Sequence, residues 1–384
     1  MPIRTTWSRR VVRAGLAAVV AAPLMLLGTQ AAQAAWVQQT LPKPAGAISP
    51  RLGEVSCPTA TFCMVLGSGG THAGSKAFTE TWNGTSWTIQ KVANAASTSL
   101  GEVSCTAPDA CTAVGAQTVH RNQYEPAAER WDGTDWTTQT APPLSGSVDS
   151  GLSGVSCTSA TRCVAVGDGG LGTPFSEIWN GTVWTQDAMP IPAGGNVTAV
   201  SCRIGKTCEA VGHGSTGPVA WSLSGTDWTA QTVPPPSGEQ PGGLVGVSCG
   251  AANFCVAVGT YNPTATSGPT ALAYVWNGAT WTQQATAPLP AAANENALAA
   301  VSCVRAVTCT TVGDYIKQGH QFLLSERWTG SRFVLQRDVT ISGKSQSPYL
   351  SGVSCPGISD CTATGGYYTA HTDKARLIAE QDQG

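Results

Sequence analysis

The chain has 384 residues, only 11% of them charged, with 44 Gly, 24 Pro, 14 Cys and 13 Trp. Helical bundles and coiled coils need many Leu, Glu, Lys and Arg, and a hydrophobic fraction of 42% is too high for a disordered chain, so both classes are excluded. An even number of cysteines in such a chain implies either an oxidising compartment or bound metal.

The first residues read as an address. Arg4, Arg9, Arg10 and Arg13 precede an apolar run from Ala14 to Leu27, followed by Ala32-Gln33-Ala34. A charged start, an apolar middle and a small-x-small site define a signal peptide over residues 1–34, cleaved near Ala34. The run is short for a spanning helix and nothing similar follows it, so membrane insertion is not expected. Ser8-Arg9-Arg10-Val11-Val12 also fits a twin-arginine signal. The general route is preferred here, because twin-arginine export carries folded proteins and these cysteines need an oxidising compartment to pair. Removing the leader leaves 17 basic against 23 acidic residues. A secreted, mildly acidic protein is not expected to bind nucleic acid.

The remainder, residues 35–384, is repetitive. Its cysteines fall in seven pairs with five residues between: Cys57 with Cys63, Cys105 with Cys111, Cys157 with Cys163, Cys202 with Cys208, Cys249 with Cys255, Cys303 with Cys309, and Cys355 with Cys361. Val-Ser precedes every first cysteine, and first-cysteine spacings are 48, 52, 45, 47, 54 and 52 residues. A pair spaced this way can staple the base of a tight hairpin, because facing strand residues lie within disulfide reach. Metal binding is disfavoured, since a zinc site needs four clustered ligands and these pairs belong to different units.

Between the cysteine pairs lies a second motif. It reads Trp82-Asn83-Gly84-Thr85-Ser86-Trp87, Trp131-Asp132-Gly133-Thr134-Asp135-Trp136, Trp179-Asn180-Gly181-Thr182-Val183-Trp184 and Trp276-Asn277-Gly278-Ala279-Thr280-Trp281. Leu223 replaces the first Trp of the fourth unit, and Phe333 the second of the sixth. Asn-Gly or Asp-Gly between alternating flanks is a hairpin signal, because those residues accept positive φ, and the Trp pair is expected to face across the hairpin. Each unit thus holds four short strands, A to D, which at this period is the signature of a propeller blade.

The last unit has its cysteines and a C-like strand, Leu377-Ile378-Ala379-Glu380, but no D strand. Trp36-Val37-Gln38-Gln39-Thr40-Leu41-Pro42 matches Trp136-Thr137-Thr138-Gln139-Thr140-Ala141-Pro142 and supplies it. The expected fold is therefore all-β: a seven-bladed β-propeller of four-stranded antiparallel blades, one disulfide per blade, its ring closed by the N-terminal strand. Over residues 36–384 the chain resembles the secreted propeller proteins of actinobacteria that carry Val-Ser-Cys repeats with a Trp-Asn-Gly-Thr-x-Trp hairpin. The resemblance implies a lectin-like association with glycans or surfaces. The hairpin stands where sialidase-like propellers carry an Asp-box turn, but lacks its Ser-x-Asp start, so no sialidase activity is implied.

Glu80, Glu129, Glu177, Glu326 and Glu380 recur at one position, with Trp221 and Tyr274 in the other units. A catalytic acid would be unique, so a structural hydrogen bond is expected of them. Uniform A–B and C–D turns leave the B–C and D–A loops as the variable face, where function concentrates. Both sets of loops are read as long; the D–A loops, with Pro142-Pro143 and Pro234-Pro235-Pro236, are read as stiff spacers, and the B–C loops are expected to hold the ligand-binding residues: His72, His120, Arg121, Tyr124, Asp168, His213, Tyr261, Asp314, Tyr315, His320, Tyr367, Tyr368 and His371. Aromatic planes beside planar polar groups suit a sugar, with its apolar ring faces and hydroxyl edges.

A secreted, non-catalytic, lectin-like monomeric ring binding glycans or cell-surface polymers is the expected function, with no metal and no cofactor. A protein-interaction platform within a secreted assembly is the alternative. An enzyme is the third reading. Hydrolysis needs two carboxylates about 5–10 Å apart, whereas Asp168 and Asp314 lie in units on opposite sides of the ring. A lyase built on His120, Arg121 and Tyr124 is conceivable. There is no His-Glu-x-x-His pair and no Gly-x-x-x-x-Gly-Lys nucleotide loop.

Overall fold

The computed structural model describes Met1 and residues 36–382 except 72–73, 93–96, 121–122, 148, 171, 192–193, 204–206, 238–240, 337–344 and 370–374. The signal peptide and cleavage site expected from the sequence fall on residues 2–35, outside the described residues. Among those described, 28 strands form seven four-stranded antiparallel sheets. Strand β1 (Trp36–Gln39) stands apart in sequence from its sheet. The first six blades are β2–β5 (Ile48–Thr59, Phe62–Thr71, Gly74–Trp82, Trp87–Gln90), β6–β9 (Thr98–Ala107, Ala110–His120, Gln123–Trp131, Trp136–Gln139), β10–β13 (Ser150–Ser159, Arg162–Gly169, Thr173–Trp179, Trp184–Ala188), β14–β17 (Asn196–Arg203, Thr207–Gly214, Gly217–Ser224, Asp227–Gln231), β18–β21 (Gly243–Ala251, Phe254–Tyr261, Thr270–Trp276, Trp281–Gln284) and β22–β25 (Ala293–Arg305, Thr308–Lys317, His320–Trp328, Phe333–Leu335). The seventh holds β26 (Ser345–Ser354), β27 (Thr362–Thr369) and β28 (Ala375–Asp382), with β1 as its fourth strand. Trp36 pairs Asp382 and Gln39 pairs Ala379, so the N-terminal strand closes the ring as the motif match requires. No described helix is long and apolar enough to cross a membrane.

The innermost strands contact one another in a closed circuit, β2 to β6, β10, β14, β18, β22, β26 and back to β2, and so surround the axis. Each Val-Ser-Cys triplet has a divided task. Val55 and Cys57 pack into the apolar layer with Leu52, Val65, Phe78, Trp82 and Trp87, against Ala379 of the preceding blade. The intervening serine points the other way, as strand alternation demands. Its hydroxyl accepts the N–H of the first cysteine in the next blade. Cys105 bonds Ser56, Cys157 bonds Ser104, Cys202 bonds Ser156, Cys249 bonds Ser201, Cys303 bonds Ser248 and Cys355 bonds Ser302, all at 2.9–3.0 Å.

The cysteines pair as their spacing predicts, each within its own blade. Cys57 is bonded to Cys63, Cys105 to Cys111, Cys157 to Cys163, Cys202 to Cys208, Cys249 to Cys255, Cys303 to Cys309 and Cys355 to Cys361, with Cα atoms 3.9–4.1 Å apart. The second member of each pair, Cys63, Cys111, Cys163, Cys208, Cys255, Cys309 and Cys361, is buried in the apolar layer of its blade. These sulfurs are staples rather than ligands, and no cysteine is free.

The Trp pairs face each other across their hairpins with centroids 5.5–5.7 Å apart, and Trp328 meets Phe333 at 5.1 Å. Their indoles also tie blades together: Trp87 donates to Gln39, Trp184 to Gln139 and Trp281 to Gln231 on the outer strand of the preceding blade. The turn between them works differently from an Asn-Gly pair in which both residues take positive φ. Trp82 pairs Trp87, leaving a four-residue loop in which Gly84 alone takes positive φ, at 92°. Asn83 contributes its carboxamide oxygen instead, accepting the N–H groups of Thr85 and Ser86 and the Thr85 hydroxyl at 2.8–3.0 Å. Asp132 and Asn180 repeat this arrangement. A second glycine, closing the run after the second cysteine, is imposed by a close approach. At Gly115, Gly167, Gly212, Gly259, Gly313 and Gly365 a Cβ would stand 1.9–2.0 Å from a carbonyl oxygen of the inner strand, beside the bulge that each of those strands carries.

Candidate functional site

The repeated glutamates are buried, as a structural role requires, but the expected hydrogen bond is confined to some of them. Glu129 accepts from Thr138 at 3.0 Å. Neither carboxyl oxygen of Glu80 or Glu177 has a partner among the described residues, and burial pushes both up to about 8. The residues that replace glutamate explain the site's preference. Trp221 donates to the Pro190 carbonyl at 2.8 Å and Tyr274 to the Pro234 carbonyl at 2.5 Å, both in the connection entering that blade. The position favours a donor, and a glutamate is one only when protonated. These acids belong to the scaffold.

The variable face is built differently from the long loops that its sequence suggests. Strands B and C stay paired almost to their tips: Thr71 faces Gly74, His120 faces Gln123, Gly214 faces Gly217 and Lys317 faces His320. Only the fifth and seventh blades have B–C connections longer than three residues, 262–269 and 370–374, whereas the D–A connections are long, as at 40–47 and 285–292. The residues expected in loops therefore sit mostly on strand ends. His120 and Tyr124 are exposed on β7 and β8, and His213 is exposed on β15. Asp314, Tyr315 and His320 share the β23–β24 hairpin, where Tyr315 stacks on Phe322 at 5.3 Å. Asp168 accepts the Val197 N–H at 3.1 Å, and Tyr261 is half-buried at the end of β19. Burial raises Asp168 and Asp314 to about 6 each, but they stand in the third and sixth blades and are not brought together. His72, Arg121 and His371 lie outside the described residues.

Convergence occurs where the ring closes. In the first and seventh blades the inner strand begins with a Ser-Pro pair whose serine takes positive φ, 50° at Ser49 and 48° at Ser347, at a bulge in the pairing. Non-glycine residues held there carry local strain that the surrounding structure must sustain. The pairs deliver Arg51 and Tyr349 to neighbouring positions at the mouth of the ring. Arg51 donates to the Tyr368 hydroxyl at 2.9 Å. Burial raises Tyr349, partly offset by the Arg51 charge. Beside this trio lies a cleft of about 320 Å³, lined by Gln38, Thr40, Lys43, Pro50, Tyr367 and Arg376 among others. Tyr367 and Arg376 are cross-strand partners, so phenol and guanidinium share one rim. Of the sequence-derived residues, Tyr367 and Tyr368 belong here. Lys43, Arg51, Tyr349 and Arg376 escaped that reading, although Ser-Pro-x-Leu recurs only in units one and seven.

A second feature lies within the ring. The residue before Val-Ser-Cys is Gly or Ala in five blades, but Glu54 and Glu102 in the first two. Both are half-buried on adjacent inner strands. Burial pushes Glu54 up to about 8. It raises Glu102 still more strongly, with the neighbouring Glu54 charge adding to it. No group of three or more potential metal ligands occurs among the described residues.

No protein-family profile matches the chain, and no curated protein does. Solved structures share its fold. A PL25 ulvan lyase bound to a GlcA-Rha3S saccharide superposes with a TM-score of 0.59 at 10% identity, covering 87% of this chain and 95% of that one. YCF48 bound to a D1 peptide gives 0.53 at 11% identity, covering 93% and 100%. A triple arginine mutant of AofleA from Arthrobotrys oligospora gives 0.51 at 14% identity, covering 80% and 90%. At these identities the likeness is one of fold alone; the seven blades and their disulfide staples are read from this chain's own sheets and sulfurs.

Proposed function

We propose that the protein is a secreted, non-catalytic propeller that binds a glycan or cell-surface polymer on the face carrying the B–C and D–A connections. The observation that carries this reading is the cleft at ring closure, where the half-buried Tyr367 stands beside Arg376, Gln38 and Thr40. An aromatic plane edged by amide, hydroxyl and guanidinium donors complements a sugar ring. Propellers of the same fold hold a polysaccharide fragment in one case and a peptide in another, which supports an open face as a docking surface. Seven disulfides fit an oxidising compartment, consistent with the leader read from the sequence.

The non-catalytic reading rests on where the carboxylates are. None lines the cleft among the described residues, and neither of two neighbouring pairs reaches it: Glu54 with Glu102 on inner strands, and Asp187 with Asp227 on outer ones. The protein-platform reading is favoured by exposed apolar side chains on the same face, Ile48, Tyr124 and Phe322. Affinity electrophoresis of residues 35–384 through gels containing polysaccharides separates the two. Retardation by at least one polysaccharide without release of oligosaccharides is the expected result. Unretarded migration in all of them, with a stoichiometric protein partner in culture supernatant, would replace the glycan reading by the platform.

A further inference from the structure

We propose that the cleft at ring closure selects anionic saccharides, Lys43 and Arg376 holding a carboxylate or sulfate group while Tyr367 packs on the sugar ring. This rests on the glycan-binding reading above and specifies its ligand class. The charge distribution carries it. The chain has 23 acidic and 21 basic residues, yet no carboxylate lines this cleft among the described residues, while two cations do.

Six of the 23 acids, Glu80, Glu129, Glu177, Glu209, Glu326 and Glu380, are buried inside blades, Glu380 beneath the cleft as the cross-strand partner of Gln38. Lys43 and Arg376 are exposed and have no ion-pair partner among the described residues, where the one salt bridge joins Arg327 to Asp382. Arg51 adds a third positive charge nearby, donating to the Tyr368 hydroxyl rather than to a carboxylate. Unpaired cations around an aromatic make charge-assisted hydrogen bonds to an oxyanion, and a guanidinium can do so bidentately. Gln38 and Thr40 remain for uncharged hydroxyls. The volume, about 320 Å³, is near the lower end for small-ligand sites, so the cleft would hold a short segment of a polymer.

Isothermal titration of residues 35–384 with three oligosaccharides of equal length tests this: an oligogalacturonate, a sulfated galactan fragment and a neutral galactan fragment. At least one anionic probe is expected to bind about tenfold or more tightly than the neutral one, with affinity falling as salt rises. Tighter binding of the galacturonate or of the sulfated fragment identifies the group held. Lys43→Gln with Arg376→Gln should bring the anionic probe down to the neutral one, and because both side chains are exposed the melting temperature should not change. Tyr367→Ala should weaken all probes. Equal wild-type affinity for neutral and anionic probes, lost in Tyr367→Ala but not in the double variant, would overturn the anion proposal and leave glycan binding intact. Failure of all three probes, with retardation by some neutral polysaccharide in the gel assay, would overturn it equally.

Discussion

The backbone N–H of Cys57, in the first blade, donates to the hydroxyl of Ser354, in the last, at 2.9 Å. It completes a circuit of seven such bonds, so the contact that closes the ring is chemically the same as the six that build it. A circuit of equivalent bonds has no weak member by design. Ser354→Ala should therefore cost about as much as Ser201→Ala in the interior, about 1–2 kcal/mol each, because either leaves a cysteine N–H unsatisfied. Equilibrium denaturation of the two variants checks this, and a much larger loss for Ser354→Ala would show that closure is the strained step.

Closure also depends on Trp36, which is buried against Ala300, Val312 and Leu323 of the sixth blade and Leu350 of the seventh. Trp36→Ala should cost about 3–5 kcal/mol, as for other large-to-small core substitutions. Val37→Ala, one residue on and exposed, should cost little. Thermal unfolding of both variants provides the comparison.

Glu80 and Glu177 should make the ring more stable in mild acid. Their ordinary value is 4.5, and in the folded ring burial raises both to about 8. Between those limits the unfolded chain releases protons that the folded one keeps. Stability is therefore full below about 4.5 and falls as pH rises towards 8, by up to about 1.4 kcal/mol per pH unit for each such group. Melting temperatures measured from pH 5 to pH 8 should decline, and Glu80→Gln with Glu177→Gln should flatten the decline.

The same sign applies within the ring to Glu102, raised by burial and by Glu54. Glu102→Ala introduces the residue that the fourth and sixth blades carry there, Ala199 and Ala300. It should raise the melting temperature at pH 8 more than at pH 5, by a few degrees at most, leaving glycan binding unchanged. An equal effect at both pH values would mean that the carboxyl is not held protonated.

The blade count, the disulfide pairing and the closing strand were legible because each is a local pattern repeated in register. The bond between Cys57 and Cys63 needs only hairpin geometry, and Trp36 announces its role by matching Trp136. The site was legible only in part. Tyr367 and Tyr368 stand out by residue type at the end of a strand, whereas Arg51 and Tyr349 become neighbours only when the first blade meets the last. That contact spans 298 or more residues of chain in its adjoining bonds, Ser351 to Gly53 and Leu52, and no local pattern encodes it. Turn composition marks where a hairpin ends but not how far its ladder continues: His120, His213 and His320, one to a unit already in the sequence, stand on strand ends rather than in long loops.

The proposed function requires that the face at ring closure hold a saccharide. A glycan array probed in parallel with residues 35–384 and with the Tyr367→Ala variant tests it most directly. Binding by the unmodified ring to a group of related glycans is expected, with loss of that signal in a variant that still folds. Absence of any bound glycan, or binding that survives the substitution, would contradict it.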